Sequence, residues 1–188
     1  MPPKVKITKE DLIKTAVDLA KKSGQDAINA RAIASALNCS TQPIFSNFNS
    51  MEELEEETAL AIYKIYLSFI KTEVESNKYP KYKAFGMAYI RFAKEEKELF
   101  KLLFMRDRKS DGLIPTSDFD ASVEMIMASI GTTKEIATLI HLEMWTCVHG
   151  IGTMLATSFL SLEWELISTI LTDVYHGICA RHLSGDTK

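Results

Sequence analysis

The residues best suited to chemistry lie between Thr41 and Phe48, a segment that carries no formal charge. Gln42 has an amide that can form two hydrogen bonds to the edge of an adenine. Thr41 can form a hydroxyl hydrogen bond or contact a thymine methyl group, and Pro43 offers a further apolar contact. These residue types at the start of a short helix are typical of side chains that read base edges in a major groove.

Two short predicted helices position these side chains. Asn29 can cap the first helix, Ala30–Leu37. The second helix is predicted over Thr41–Phe48, with a proline in its first turn, where the missing N–H costs nothing. Between them, Asn38 tolerates the left-handed backbone of a helix end, and Ser40 can cap the second helix. The spacing is that of a helix-turn-helix.

The second of these helices has two distinct faces. Ile44 and Phe48 are four residues apart and form its inward, apolar face, so the first residues of the helix face outward. Ser46 and Asn47 can reach phosphate oxygens. The free N–H groups at the start of the next helix, near Ser50, can do the same. The sequence therefore predicts contacts to both bases and backbone.

Charge is unevenly distributed along the 188 residues. Residues 1–50 hold seven basic and four acidic side chains, a net charge of +3, whereas the remainder is −6. A basic head on an acidic body favours a polyanionic partner for the head. Lys4, Lys6 and Lys9 are expected to form a basic N-terminal arm, with the first helix capped by Thr8 and ended at Gly24.

The rest of the sequence predicts helices and connecting loops, because apolar residues recur at spacings of three and four. A Ser50–Glu53 capping pair opens a long helix, Tyr79-Pro80 marks a boundary, and Gly131 ends a shorter helix. Asp107–Ser117 is a predicted loop, and the tail from Ser184 is expected to be disordered. The predicted helices cover about 54–76, 81–93, 94–105, 118–130, 134–157 and 162–182.

The helices of the body offer an apolar surface for a small ligand, with a few polar anchors among aromatic and methionine side chains. The same residues could equally form an ordinary core, and a core role is also open for the Trp145–His149 pair. Apart from Arg91, no Lys or Arg without an evident partner stands out in these helices, so a neutral or hydrophobic effector is expected. The ligand-binding candidates are Phe85, Tyr89, Phe92, Phe104, Met125, His141, Met144, Trp145 and His149.

Several classes of protein are disfavoured. Three cysteines in a chain of this length suggest reduced thiols and a cytoplasmic location rather than a disulfide scaffold. Met144–Leu162 is the longest run without Asp, Glu, Lys or Arg, but its many polar residues favour a buried helix over a membrane span. We expect no metal site, since His176, Cys179 and His182 drift around their helix. We also expect no enzymatic activity and no cofactor, since the sequence has no Gly-rich phosphate loop, Ser nucleophile elbow or paired-carboxylate signature.

Residues 8–55 resemble the DNA-binding head of the TetR family of bacterial transcription regulators. The resemblance rests on a Thr/Ser–x–Arg–x–Ile-Ala stretch, a Gly-Val-Ser turn, a recognition helix ending Leu-Tyr-x-His/Tyr-Phe, and a Lys-x-Glu-Leu entry to the fourth helix. The matching positions are Arg31, Ile33, Ala34, Ser40, Ile44, Phe48, Glu53 and Leu54.

The sequence departs from the family pattern at four positions. Asn38 stands where the family prefers Gly, and Phe45 replaces a Tyr whose hydroxyl usually contacts phosphate. Asn47 replaces His or Tyr, and Met51 replaces a Lys. Fewer charged phosphate contacts and a shallow salt dependence are expected. The candidate DNA-contacting residues are Thr41, Gln42, Pro43, Phe45, Ser46, Asn47, Ser50, Lys4, Lys6 and Arg31.

The body resembles a TetR subgroup with a Phe-Ala…Leu-Phe stretch and a Trp-x-x-x-His-Gly motif, here Trp145–Gly150. The resemblance implies an all-α fold, with a three-helix helix-turn-helix head at 1–50 and a helical effector-binding and dimerisation body at 51–188. It further implies a homodimer through the last two helices, a palindromic double-stranded operator, and repression relieved by a small-molecule effector. A helical ligand-binding or scaffold protein without DNA binding, and a helical enzyme, are the alternatives.

Overall fold

The computed structural model describes residues 7–105 and 117–184, and all regular elements in these ranges are helical. A single 3-10 turn, Gln25–Ala27, separates the first two α-helices. The α-helices are α1 Lys9–Ser23, α2 Ala30–Ala36, α3 Gln42–Asn47, α4 Met51–Glu75, α5 Lys81–Glu95, α6 Lys97–Phe104, α7 Ser117–Ile130, α8 Lys134–Ala156 and α9 Trp164–Leu183.

The predicted helix ends are largely confirmed. The Thr8 side chain accepts a hydrogen bond from the Asp11 N–H, Asn29 accepts one from Ala32, and Gly24 follows α1. The predictions for the N-cap of α3 and for the break between α5 and α6 were wrong. Thr41 rather than Ser40 is the N-cap of α3, without a side-chain cap. The break predicted after residue 93 falls at residue 96, where the backbone leaves helical geometry.

Some predictions fall outside the described residues. These are Lys4 and Lys6, the tail after Ser184, and most of the predicted loop 107–117, of which only Ser117 is described, as the first residue of α7. Within the described helices, none is long and apolar enough to cross a bilayer.

The described residues divide into two compact units. The first contains α1, α2, α3, α4 up to Ile65, and α6. Its core is built from apolar side chains spaced three and four apart on these helices. The predicted domain limit at residue 50 stays a prediction. The fully buried side chains in the core of this first unit include Leu12, Ile33, Ile44, Leu54, Ile62, Phe100 and Leu103.

The second unit contains α4 from Tyr66 onward, α5, α7, α8 and α9. Helix α5 is buried on most sides and lies chiefly against α8. Gly86 allows the close approach, since a Cβ there would lie 3.3 Å from Val148 Cγ2 and 3.6 Å from Leu171 Cδ1. Lys83 Nζ joins α5 to α9 by donating to the hydroxyl of Ser168 at 2.8 Å.

Arg91 is fully engaged within the second unit, so its predicted lack of a partner was wrong. Its Nε donates to Glu73 Oε2 at 3.0 Å, and its Nη1 lies 3.4 Å from Glu95 Oε1. The guanidinium also lies 4.5 Å from the ring centroid of Trp164. The Glu73 side chain is only 5% exposed, so Arg91 neutralises a buried carboxylate.

Replacing this arginine should therefore destabilise the fold. In Arg91→Met the Glu73 carboxylate loses its partner, and an unsatisfied buried charge costs at least about 1–3 kcal/mol. We expect the free energy of unfolding in urea to fall by at least that amount. Glu95→Gln, which changes the exposed partner of the same arginine, should cost less than about 0.5 kcal/mol. Equal losses in the two variants would contradict the assigned role of Glu73.

Candidate functional site

The turn between α2 and α3 has the conformation that its sequence predicts. Asn38 has a φ of 49°, the left-handed backbone that asparagine tolerates better than most residues. The Cys39 N–H donates to the Ala34 carbonyl at 2.9 Å and closes the end of α2. The position that the resembled family fills with glycine is thus occupied here by the residue that best replaces it.

Helix α3 is anchored by its inward face. Ile44 is 0% and Phe48 is 3% exposed, as the spacing predicted. On the opposite side, Gln42, Phe45 and Ser46 are exposed. The candidates Thr41 and Pro43 are half-buried, as is Asn47, whereas Arg31 on α2 is exposed. The structure therefore brings Gln42, Phe45 and Ser46 together on one open edge, named here the α3 edge.

Two candidate phosphate donors are used inside α3. Ser46 Oγ donates to the Gln42 carbonyl at 2.9 Å, and Asn47 Nδ2 donates to the Pro43 carbonyl at 2.7 Å. Such bonds to the carbonyl four residues earlier are common for short polar side chains in helices. The amide of Gln42 is thus the longest polar side chain that the α3 edge presents.

The start of α4 differs from the expectation of free N–H groups. The N–H of Glu53 donates to Ser50 Oγ at 3.3 Å, and Glu53 Oε2 accepts from both N and Nδ2 of Asn49. These hydrogen bonds lower the pKa of Glu53. Glu52 likewise bonds its own backbone N–H and Ser50, which lowers its pKa. Carboxylates therefore occupy the helix end that was predicted to receive phosphate.

Lys9 is not part of an arm, because it is the first residue of α1 and is engaged within the head. Its Nζ donates to Glu57 Oε1 at 2.8 Å and lies 5.0 Å from the ring centroid of Phe48. The hydrogen bond to Glu57 raises the pKa of Lys9. This contact ties the starts of α1 and α4 to the last inward residue of the helix-turn-helix.

A first aromatic and histidine cluster lies in the second unit, named here the Tyr89 cluster. The hydroxyl of Tyr89 lies 2.8 Å from His149 Nδ1, joining α5 to α8. Tyr66 meets the Tyr89 ring edge-on with centroids 6.0 Å apart, and Phe69 meets Phe92 at 5.4 Å. Tyr66 and Phe69 come from α4 and were not among the sequence candidates.

A second cluster, the Tyr82 cluster, is formed by α5, α7, α8 and α9. The Tyr82 hydroxyl lies 3.0 Å from His141 Nδ1, and the Phe119 ring stands 4.7 Å from the His141 ring. Tyr175 packs against Tyr82 at 5.7 Å between centroids. Burial raises the pKa of Tyr82 above its ordinary value and that of Tyr175 to about 12, so both phenols are neutral.

The remaining ligand-binding candidates differ in exposure and in the unit to which they belong. Trp145 is 44% exposed, although it meets the His149 ring at 5.9 Å. Met144 is buried, and Phe85 and Met125 are half-buried. Phe104 lies on α6 in the first unit, where it packs against Phe100. The sequence signal for Tyr82 and Tyr175, a tyrosine on a partly buried helix face, was too common to single them out.

A separate crevice of about 400 Å³ opens beside α7 and the start of α8. Its lining residues, none of which was a sequence candidate, are Asp120, Val123, Glu124, Met127 and Lys134.

Among the described residues, no group of three His, Cys, Asp or Glu side chains is placed to hold a metal ion. His182 bonds Glu143 at 3.1 Å, whereas His176 is exposed and Cys179 is buried.

Comparisons with known proteins agree with this architecture. Residues 82–173 match the family described as the tetracyclin repressor-like C-terminal domain. A TetR-like transcriptional regulator from Rhodococcus sp. RHA1 has a similar structure, with a TM-score of 0.69 over 99% of this chain and 100% of that chain, at 14% identity. A protein from Pseudomonas aeruginosa PAO1, assigned as a transcriptional regulator, gives 0.66 over 94% and 92%, at 16% identity. No curated protein matches the sequence.

The fold is therefore that of the TetR-like regulators, an all-α arrangement with a helix-turn-helix head and a helical body. Residues 82–173 of that body are similar to the tetracyclin repressor-like C-terminal domain family. The more specific subgroup with a Trp-x-x-x-His-Gly motif stays a prediction.

The clusters predict a pH dependence of stability. Burial lowers the pKa of His141, so the folded chain holds this ring neutral while the unfolded chain protonates it near its ordinary value of about 6.5. The unfolded state binds more protons as the pH falls, so the contribution is present above that pH and lost below it. We expect the free energy of urea unfolding to decrease between pH 7.5 and 5.

His141→Gln should flatten this decrease, leaving a smaller slope from His149, whose pKa burial also lowers. His176→Gln is the matched control, because His176 lies exposed on α9. A slope in His141→Gln equal to that of the unsubstituted chain would remove His141 as its source.

Proposed function

We propose that this chain is a homodimeric DNA-binding transcription regulator, acting as a repressor that a small-molecule effector releases. The observation that carries the proposal is the exposed α3 edge on a helix held by Ile44 and Phe48. A helix presented in this way fits the major groove, with Gln42 able to bond an adenine edge. The TetR-like fold and the tetracyclin repressor-like body support the same function.

A homodimer through α8 and α9 is supported by exposed apolar side chains on these helices. Leu139, Leu142 and Leu166 are each more than 40% exposed, and Trp145 lies three residues beyond Leu142. Leu139, Leu142 and Trp145 recur three residues apart on α8, and exposed apolar side chains of this kind favour burial against a second copy. A two-fold dimer carries two α3 edges, which suits a palindromic operator with half-sites about 34–36 Å apart.

An effector site in the second unit is supported by the Tyr89 and Tyr82 clusters. Both combine aromatic rings with a tyrosine–histidine pair, and burial favours the neutral form of each histidine. The cation Arg91 is already paired with Glu73. This chemistry suits a neutral or weakly polar effector better than an anion. Helix α4 contributes Tyr66 and Phe69 to the Tyr89 cluster, so an effector bound there would act on the helix that directly follows the helix-turn-helix.

A helical ligand-binding protein without DNA binding is the second candidate. It is favoured by the start of α4, which carries the Glu52 and Glu53 carboxylates and where Ser50 Oγ accepts from the Glu53 N–H, and by the absence of charge on α3. Both features reduce attraction to phosphate. Selection of bound sequences from a random duplex pool at low salt separates the two functions. Recovery of a palindromic consensus supports the regulator, and recovery of unenriched sequences supports the alternative.

Gln42→Ala tests the reading of bases. Losing the bidentate contact should lower affinity for the selected operator by about 1–3 kcal/mol per half-site and leave affinity for random duplex nearly unchanged. Fluorescence anisotropy with both duplexes measures the two effects. Glu10→Ala, on the exposed side of α1, is the control. An equal loss on random duplex would remove Gln42 from the reading of bases.

Leu142→Glu tests the dimer. A charge in the proposed interface should shift the protein towards the monomer in analytical ultracentrifugation, with loss of specific operator binding and unchanged helical circular dichroism. Leu67→Glu is the matched control, since Leu67 is a similarly exposed leucine on α4, 38% against 41%. A monomer–dimer equilibrium that moves equally in both variants would place the interface elsewhere.

A further inference from the structure

Phe45 is an unusual side chain in the described head. It lies in the middle of α3 with 57% of its surface exposed, while its neighbour Ile44 is fully buried. Among the large apolar residues that the structure describes, only Phe159 is more exposed. The core of the first unit is complete without this ring, and leaving it in water gains nothing for folding. A partner for Phe45 must therefore come from outside the chain if the ring has a role.

The neighbours of Phe45 limit what that partner can be. Gln42 precedes it by three residues, so the amide and the ring lie side by side on the α3 edge. Ser46 and Asn47 direct their donors to carbonyl groups of α3 itself. Helix α3 carries no Lys or Arg. Guanine is read most often by Arg or Lys at its O6 and N7 atoms, so α3 lacks the usual guanine-reading group.

Apolar contact and an amide match one kind of base pair. Thymine presents a methyl group in the major groove, which phenylalanine can cover, and adenine presents the N6 and N7 pair that glutamine bonds. We infer that the α3 edge reads A·T base pairs, with Phe45 covering a thymine methyl group next to the adenine bonded by Gln42. This inference rests on the proposed DNA-binding function and names the base pairs that α3 recognises.

Uracil substitution isolates the contact, because deoxyuridine differs from thymidine in the major groove by the methyl group alone. The probe is the duplex recovered by selection, with each thymine of the half-site replaced in turn. One replacement in a single half-site should weaken binding about fourfold, the effect of losing one buried methyl, and the same replacement in both half-sites should weaken it about fifteenfold. Replacements at thymines away from α3 should have no effect.

The matching protein variant is Phe45→Ala. We expect it to weaken binding to the thymine duplex and to bind thymine and uracil duplexes equally. Phe159→Ala, which truncates the other strongly exposed phenylalanine outside the head, should keep the full preference for thymine. Because Phe45 is exposed, the variant should unfold at the same urea concentration as the unsubstituted chain, so a loss of binding reflects the contact.

The outcomes distinguish this inference from the proposed function. A selected half-site with G·C pairs at the α3 position would overturn it while DNA binding stands. So would uracil duplexes bound as tightly as thymine duplexes, or a thymine preference that survives Phe45→Ala. Failure to enrich any duplex would overturn the proposed function and this inference together.

Discussion

The arrangement of the head depends on burial of two apolar side chains four residues apart. Ile44 and Phe48 occupy the core of the first unit, and a helix of six residues has no other strong restraint on its rotation. Once these two are buried, Gln42, Phe45 and Ser46 must face solvent. The Lys9 ammonium over the Phe48 ring adds a contact from α1. Packing, rather than polar interactions, thus decides which chemistry the α3 edge presents.

Charged side chains at the start of α4 oppose phosphate binding, and Lys9 is not available for it. Glu52 accepts from its own backbone N–H, Ser50 Oγ accepts from the Glu53 N–H, and the Glu53 carboxylate accepts from Asn49 just before α4. These bonds stabilise the start of the helix but place two carboxylates where the helix dipole is positive. Lys9 is neutralised by Glu57. When a protein makes few contacts to DNA phosphates, its affinity for DNA depends weakly on salt and relies more on the fit to base edges. The exposed Phe45 is consistent with such a balance.

Local interactions in this protein were predictable from sequence, and long-range ones were not. The caps at Thr8 and Asn29, the left-handed Asn38 and the inward pair of α3 depend on residues within four positions of one another. The Glu73–Arg91 pair spans 18 residues, and Tyr82–His141 spans 59. Spacing along a helix identifies a buried face but does not identify the face that covers it, so these pairs needed the three-dimensional structure.

Helix α4 carries the constraints of both units along one continuous run of backbone hydrogen bonds. In its first half, Glu57 holds Lys9. In its second half, Glu73 holds Arg91, and Tyr66 packs against Tyr89. The helical period therefore supplies both cores from one element, with Leu54 and Ile62 buried in the first unit and Tyr66 buried in the second.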